Sequence, residues 1–238
     1  MPSIEVSVIC PAYNEEDTIE IAVRAILETL RSFMANRTFE VIIAEDGCDD
    51  QTPVIAARLS AQNPHVRHIH SDKRLGRGKS LAGALNESYG DILLYVDTDM
   101  ATDVSHIRDL VEFVRGDGYD IATGSRYLPE SKAKRPVRRL LPSICYNTLV
   151  RLLLKSKIKD HQCGFKSFKR KVIYDILPNV QDDHWFWDTE VLVKAQRNGY
   201  QIMEFPVNWT RKPNSKVDLF QDVPTMLAQV LRTWKKLE

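Results

Sequence analysis

The chain has 238 residues, and its 33 basic and 32 acidic side chains leave a formal charge of +1, which points to no nucleic-acid partner. An apolar fraction of 43% and a charged fraction of 27% are ordinary for a globular protein. This composition excludes a disordered chain, a collagen and a disulfide scaffold, and the length suits one α/β domain covering 1–238.

Strand-like and helix-like patterns alternate along the first half of the chain. Short β-rich runs predict strands at 4–10, 39–44, 66–70, 92–96 and 120–123. Amphipathic spacing and capping residues predict helices at 17–34, with Asp17 as N-cap, and at 52–61, 79–89 and 104–114. Helices of this length between short strands indicate βαβ units. We therefore predict a mostly parallel central sheet with helices on both faces.

Acidic residues directly follow three of the predicted strands. Glu15 follows the first strand, Asp46 and Asp49 follow the second, and Asp97 and Asp99 follow the fourth. In an open α/β sheet, ligands bind in the crevice outside the carboxyl ends of the strands, so we expect these carboxylates to converge. Such a concentration of negative charge is costly unless a cation or sugar hydroxyls share it.

The spacing of Asp97 and Asp99 at the end of the apolar run ILLYV suits Mg²⁺ or Mn²⁺ that carries a diphosphate. Zinc is an alternative metal elsewhere, because His68 and His70 share a strand face near His65. We interpret these histidines as an ordinary exposed strand face.

The segment 76–80, GRGKS, resembles the end of a P-loop without being one. A P-loop needs a glycine where Lys73 stands, and it follows the first strand rather than the third. The glycine-rich fingerprint of dinucleotide-binding folds is absent as well. Two glycines and several cations before a helix N-terminus still favour an anion.

The segment 131–159 contains nine basic residues and no acidic one, which leaves 24 basic and 32 acidic side chains elsewhere. It is also rich in leucine, which is typical of a helix lying in an anionic membrane surface. A core helix with a solvated basic face is the alternative. A second amphipathic helix is predicted at 222–236, and there packing on the core is favoured over membrane contact.

No signal peptide precedes the first strand, and no run of 18 apolar residues is present. The four cysteines form no Cys-X-X-Cys pair, which suits free thiols in a reducing compartment. Together with the basic segment, these features predict a cytoplasmic protein that binds peripherally to the cytoplasmic face of a membrane.

Seven short stretches form a specific pattern when taken together. They are VICPAYNEE at 8–16, EDGCDDQT at 45–52, GRGKSLAGAL at 76–85, DTDM at 97–100, GSR at 124–126, DHQCGFKSF at 160–168 and EFPVNWTRKPNSK at 204–216. In this order and spacing they resemble family-two glycosyltransferases of the GT-A fold. Within that family the chain is similar to polyprenyl-phosphate hexose synthases, and more to the dolichyl-phosphate glucose synthases than to the mannose synthases.

The resemblance implies roles for individual residues. It implies that the nucleotide is held by Pro11, Tyr13, Glu15, Asp46, Asp49, Lys79 and Asp97. It implies that Asp97 and Asp99 bind the diphosphate through Mg²⁺ or Mn²⁺. It implies that the acceptor phosphate is bound by Arg126, Arg139, Arg211 and Lys216. Asp97, Asp99 and Arg126 are thereby the expected catalytic residues.

The implied reaction transfers a hexose, with UDP-glucose as the first-choice donor, to dolichyl or polyprenyl phosphate with inversion. The resemblance favours glucose on two features: the stretch HQCGFKSF at 161–168, and Ala101 at a position where mannose synthases often have a glutamine. A phosphate monoester, with its second pKa near ~6, is largely dianionic at neutral pH and needs no general base.

Three alternatives stay open at this point. They are mannose transfer from GDP-mannose to the same acceptor, transfer to a sugar hydroxyl with Asp160 or Asp188 as base, and a non-catalytic module that binds nucleotide sugar or membrane. For Asp188 and Glu190, sugar contact and structural roles are both open.

Overall fold

A computed structural model describes residues 4–35, 37–116, 118–134, 137–210 and 222–237, without the side chains of 134, 137–139, 222–223 and 237. The strands are β1 (Val6–Ala12), β2 (Phe39–Glu45), β3 (Val66–Ile69), β4 (Ile92–Val96), β5 (Ile121–Ser125), β6 (Lys132–Lys134), β7 (Phe165–Lys169), β8 (Ile202–Pro206) and β9 (Asn208–Thr210). The helices are α1 (Ile19–Phe33), α2 (Thr52–Gln62), α3 (Arg77–Asn86), α4 (Ile107–Arg115), α5 (Val137–Leu153), α6 (Arg170–Ile176), α7 (Trp187–Arg197) and α8 (Asp222–Leu237).

Within these residues, the main sheet has seven strands in the order β3-β2-β1-β4-β7-β5-β8. β7 runs antiparallel to both of its neighbours, β4 and β5, and the remaining pairs are parallel. β6 and β9 form a small parallel sheet of their own. The predicted mostly parallel sheet is therefore confirmed, and β7 is its exception.

Helices cover both faces of the main sheet, as predicted. On one face, α1, α2 and α4 pack their apolar sides against β1, β2 and β4, through residues such as Ile26, Leu59 and Val111. On the other face, α3, α6 and α7 pack through Leu81, Ile173 and Leu192 among others. The central strands β1, β2, β4 and β5 are buried along almost their whole length, which is why their sequences are apolar on both sides.

The start of α1 differs from the sequence prediction. α1 begins at Ile19 with Thr18 as N-cap, and the predicted cap Asp17 is exposed. The prediction was wrong because Thr18 is tied to the preceding loop, its hydroxyl donating to Glu15 Oε2 at 2.7 Å. α2 begins at Thr52, the first residue of the predicted helix, with Gln51 as N-cap, and Asp50 Oδ1 accepts from the Thr52 amide at 2.9 Å.

The basic segment and the C-terminal segment form neighbouring helices. Tyr146 and Val150 of α5 are buried against Met226 and Val230 of α8. α8 therefore packs on α5 through its apolar side. Across the residues that the structure describes, no helix combines the length and the apolarity needed to cross a bilayer.

Candidate active site

The carboxyl ends of β1, β2 and β4 lie side by side, and they bring the acidic loops to one edge of the sheet. The β1–β2 register ends at Ala12↔Glu45, so the loops after both strands leave the sheet together. The loop after β4 joins them, because Thr98 Oγ1 donates to the carbonyl of Pro11 at 3.2 Å. The loops that carry Glu15, Asp46 and Asp97 therefore lie together at this edge of the sheet.

The loops after β1 and β2 are held to each other by side chains that bond to backbone amides. Asn14 Oδ1 accepts from the Asp49 amide at 2.9 Å, and Thr52 Oγ1 accepts from the Glu15 amide at 2.8 Å. Asn14 itself adopts a positive φ of 52°, which an asparagine tolerates better than most residues. These bonds fix the backbone around the residues expected to hold the nucleotide, and they leave the Asp49 side chain exposed.

Asp46 is buried and its carboxylate holds the loop before α3. Its Oδ1 accepts from the Leu75 amide at 2.6 Å and its Oδ2 accepts from the Gly76 amide at 3.1 Å. Asp46 therefore acts on the backbone here. The same loop carries Arg74, whose guanidinium lies 3.8 Å from the centre of the Tyr13 ring, a cation–π contact. Lys79, near the start of α3, is exposed.

Asp97 follows β4 directly, and its carboxylate lies in a tight corner. Its side chain is 42% exposed, and its Oδ1 accepts from Arg77 Nη2 at 2.8 Å. Its backbone amide donates to the carbonyl of Gly164 at 3.0 Å. A Cβ at position 164 would lie 1.7 Å from Asp97 Oδ2, so only glycine fits there. The segment before β7 therefore shapes the surroundings of the first aspartate.

Asp99 lies in the turn after β4. Its Oδ1 accepts from the Ala101 amide at 2.9 Å. The carbonyl of Ala101 accepts from the Thr210 amide at 2.7 Å, which ties this turn to β9. The backbone of Met100 has a positive φ of 52°, so the chain reverses sharply at the pair of aspartates.

Behind Asp97 lies a buried network of charges centred on Asp188. Its Oδ1 accepts from Lys166 Nζ at 2.9 Å and from the Tyr95 hydroxyl, and its Oδ2 accepts from Arg77 Nη1 at 2.6 Å. Burial alone would raise the pKa of Asp188, but the charges of Lys166 and Arg77 outweigh it and hold that pKa below its usual value. Asp188 is thus an ionised structural centre.

Arg126 forms a two-pronged ion pair with Asp160. Arg126 Nε donates to Asp160 Oδ2 at 2.7 Å, and Arg126 Nη2 donates to Asp160 Oδ1 at 2.8 Å. Asp160 is fully buried and the Arg126 side chain is 14% exposed. Burial opposes the charge of Arg126, yet Asp160 raises the pKa of the guanidinium above its normal value. The guanidinium also lies 5.7 Å from the Trp209 ring.

His161 and Glu190 are structural rather than reactive. His161 is fully buried between Asn147 and Ser156, and burial lowers its pKa to about 3. Glu190 Oε2 accepts from the amides of Gln181 and Asp182 at 2.9 Å each, so it orders the loop before α7. This geometry favours the structural role among the two that the sequence left open for Glu190.

The three histidines near β3 do not form a uniform exposed face. His65 stacks on Phe39 with 4.5 Å between ring centres. The side chain of His68 is 14% exposed and lies with His70 beside the buried Glu45. Interpreting this region as an ordinary exposed strand face was therefore wrong for His68, whose side chain lies largely buried beside Glu45.

Three of the residues expected to bind the acceptor phosphate have side chains outside the described part of the structure. Arg139 belongs to α5, but its side chain is outside the description, and Arg211 and Lys216 lie outside the described residues altogether. In turn, sequence reasoning missed the roles of Arg77 and Lys166. A lysine in the middle of a short β-rich run was the available signal, because such a residue needs a buried partner.

The model of the family described as "Glycosyl transferase family 2" matches residues 7–177, most of the chain. The chain belongs to glycosyl transferase family 2. This membership, together with the sheet and helices described above, confirms the expected GT-A glycosyltransferase.

Curated relatives of the chain carry names that point to sugar transfer. Glycosyltransferase AglD of Haloferax volcanii is 55% identical over 234 residues, which are 98% of this chain but only 38% of AglD. The dolichyl-phosphate beta-glucosyltransferase of Dictyostelium discoideum is 31% identical, covering 97% of this chain and 74% of that protein. The human protein of the same name is 31% identical over 91% of this chain and 70% of its own length.

Solved structures of other proteins share the fold. Glucosyl-3-phosphoglycerate synthase from Mycobacterium tuberculosis, in complex with UDP, superimposes with a TM-score of 0.72 at 20% identity, covering 98% of this chain and 80% of the synthase. The same synthase with Mn²⁺, UDP-glucose and phosphoglyceric acid gives a TM-score of 0.72 at 17% identity, over 97% of this chain and 79% of the synthase. At these identities the likeness concerns the fold.

Proposed function

We propose that the chain transfers glucose from UDP-glucose to the phosphate of dolichol or another polyprenol, with inversion at the anomeric carbon. One observation carries the choice of acceptor. Asp160 and Asp188, the two carboxylates considered as a general base, both have their two oxygens occupied by buried cations.

A sugar hydroxyl needs a base that takes its proton, and a base must accept that proton near neutral pH. The lowered pKa of Asp188 makes it a poor proton acceptor. His161 is neutral, but both of its ring nitrogens are bonded inside the fold. A phosphate acceptor, which already carries its negative charge, matches a site of this kind.

Asp97 and Asp99 fit a divalent cation. They supply hard oxygen ligands at a strand end, and the side chain of Asp97 is partly exposed toward that edge. Bound there, Mg²⁺ or Mn²⁺ would neutralise the charge of the leaving diphosphate. Arg77 holds Asp97 in position, and Arg126, itself oriented by Asp160, is the proposed contact for the acceptor phosphate.

The choice of donor and of lipid acceptor is supported by the relatives. Several are named dolichyl-phosphate beta-glucosyltransferases, and a structural neighbour was solved with UDP-glucose. The pair Tyr13 and Arg74 beside the buried Asp46 offers a stacking surface and backbone groups for a nucleotide base. GDP-mannose is the competing donor.

Peripheral membrane binding is supported by the outer face of α5. Leu141, Ile144 and Leu152 are exposed by 58%, 41% and 72%, and they follow one another at helical spacing. Five basic residues precede or begin this helix and four follow or end it, in a segment without acids. An apolar stripe flanked by cations suits the interface of an anionic bilayer.

The experiment is a turnover assay with labelled UDP-glucose, UDP-galactose and GDP-mannose, each with dolichyl phosphate in detergent and Mg²⁺ or Mn²⁺. We expect UDP-glucose to be used and the product to be a lipid-linked glucose of inverted configuration. Asp99→Asn is expected to lower the rate by about a hundredfold or more, because one ligand of the charge-neutralising cation is lost.

The matched control is Asp103→Asn, four residues further along. Asp103 Oδ1 accepts from the Ser105 amide at 2.9 Å, a capping role that asparagine fills equally well. We expect this variant to keep its activity. Full activity of the wild type in excess chelator would contradict the metal role, and preferred use of GDP-mannose would replace glucose by mannose.

A further inference from the structure

We propose that Glu45, His68 and His70 form a binding site for Zn²⁺, separate from the Asp97 and Asp99 pair. The three residues come from the ends of two adjacent parallel strands. The β2–β3 register pairs Ile43↔His68 and Ala44↔Ile69, so His70 follows opposite Glu45. Because side chains alternate between the faces of a strand, Glu45, His68 and His70 fall on one face of the sheet.

The donor atoms already lie close together. One ligand atom from each of the three residues lies within 4.8 Å of the others. His68 Nε2 is 3.9 Å from Glu45 Oε2, and His70 Nδ1 contacts the same oxygen. In a tetrahedral zinc site, ligands at about 2.0–2.2 Å from the metal are about 3.4 Å apart, so only small movements are needed.

A polar atom in the cluster lacks a partner that a metal would supply. His68 Nε2 is buried and has no hydrogen-bond partner among the residues the structure describes. Leaving such an atom unpaired costs free energy, so its presence calls for a reason. The nitrogen faces the fully buried carboxylate of Glu45 from just outside hydrogen-bond distance, which is the arrangement expected when a cation fits between them.

The outer contacts also match a metal centre. His70 Nε2 lies 3.2 Å from Asp72 Oδ1, and a ligating histidine typically gives its second ring N–H to a carboxylate. Glu45 Oε1 accepts from the Cys48 amide at 2.6 Å, so Oε2 is the oxygen that faces both imidazoles. Two imidazoles and one carboxylate favour Zn²⁺ over Mg²⁺, which prefers an all-oxygen shell.

The position of this cluster gives the metal a consequence. Glu45 immediately precedes Asp46, whose carboxylate holds the loop before α3, and the bonded amide of Cys48 belongs to the loop that carries Asp49. A zinc ion here would join the ends of β2 and β3 and stiffen the loop after β2. We therefore expect Zn²⁺ to stabilise the fold and to order this loop.

The test measures Zn²⁺ binding by competition with a chromophoric chelator, in excess Mg²⁺ that fills oxygen-only sites. Cys145→Ser serves as the background, because Cys145 is an exposed thiol. We expect one Zn²⁺ per chain. In the double variant His68→Gln, His70→Gln, affinity falls by more than about a hundredfold, and in Asp72→Asn by about 10- to 100-fold.

The matched control is His65→Gln, which alters a histidine of the same strand region outside the cluster and is expected to bind Zn²⁺ like the parent. Asp99→Asn is also expected to keep full Zn²⁺ affinity, which separates this site from the proposed catalytic cation. Absence of saturable Zn²⁺ binding by the parent protein would overturn the proposal, and so would unchanged affinity in the double variant.

A second readout does not depend on how well the variants fold. Co²⁺ in place of Zn²⁺ gives visible absorption bands that report a four- or five-coordinate site with nitrogen ligands, and the parent protein is expected to show them. Zn²⁺ is also expected to raise the Tm of the parent and of His65→Gln but not of the double variant. The site would be refuted by octahedral Co²⁺ bands, or by a Tm of the parent protein that does not change when Zn²⁺ is added.

Discussion

Because the fold buries His161 in its neutral form, the protein is expected to lose stability in mild acid. The imidazole lies 2.8 Å from Asn147 Oδ1 and 2.8 Å from Ser156 Oγ. Burial lowers its pKa from 6.5 to about 3, with Lys166 and Arg151 acting in the same direction and Asp160 against them. In the unfolded chain the imidazole binds a proton near pH 6.5, whereas in the folded protein it stays neutral.

The sign follows from which state binds more protons. The unfolded state takes up the proton first, so the free energy of unfolding is fully maintained above about pH 6.5 and falls as the pH drops toward 3. Each pH unit in that window removes about 1.4 kcal/mol. Between pH 7 and pH 5, His161 alone therefore accounts for a loss of about 2 kcal/mol.

The assay is urea unfolding followed by tryptophan fluorescence at pH 7, 6 and 5. In His161→Gln the side chain still forms hydrogen bonds but does not titrate, so its free energy of unfolding is expected to fall by about 2 kcal/mol less than that of the wild type over this range. The quantity compared is the slope of the free energy of unfolding against pH. A destabilisation of the variant that is the same at every pH does not change this slope. His184→Gln, at an exposed position, is the control. Parallel curves for wild type and His161→Gln would refute the reasoning.

Three further outcomes are expected. Gly164→Ala should abolish Mg²⁺-dependent UDP binding in calorimetry while circular dichroism stays native, because its Cβ would displace the Asp97 carboxylate; retained binding would remove Asp97 from the site. Arg138→Glu with Arg139→Glu should reduce binding to anionic liposomes by about 1 kcal/mol per basic residue, whereas Lys171→Glu with Arg197→Glu should not. Titrations with Mg²⁺ should give tighter binding of UDP than of GDP, since a site that pairs with one base leaves polar groups unpaired with the other.

Local patterns identified the first half of the fold because its strands are apolar and separated by amphipathic helices. The strand 92–96 was predicted with the bounds it has as β4. β7 was missed, since it contains Lys166 and Ser167, which are buried but polar. Lys166 is accommodated by Asp188, 22 residues away on α7, and no local pattern reports such a pairing.

The sequence predicted many of the residues that the candidate site contains, but not which side chains contact one another there. The position of the acidic loops at one edge of the sheet follows from the order of the strands and from the rule that ligands bind at the carboxyl ends of strands in open sheets. The contacts between these side chains depend on their directions in three dimensions, which the sequence does not report. Asp46 bonds to backbone amides, Arg77 bridges Asp97 and Asp188, and Arg126 is held by Asp160. The grouping of Glu45 with His68 likewise depends on the register of two strands.

The antiparallel direction of β7 determines where the segment between β5 and β7 leaves and rejoins the sheet. β5 ends and β7 begins at the same edge of the sheet, so the segment 126–164 starts and ends at neighbouring points of the sheet. The ion pair of Arg126 and Asp160 fastens the two ends of this excursion. Because the entropy cost of a longer closed loop grows only slowly with its length, insertions at exposed points of this segment are expected to cost the fold little. Under the proposed function, Arg126, the contact for the acceptor phosphate, lies at the start of a segment whose length can vary in this way.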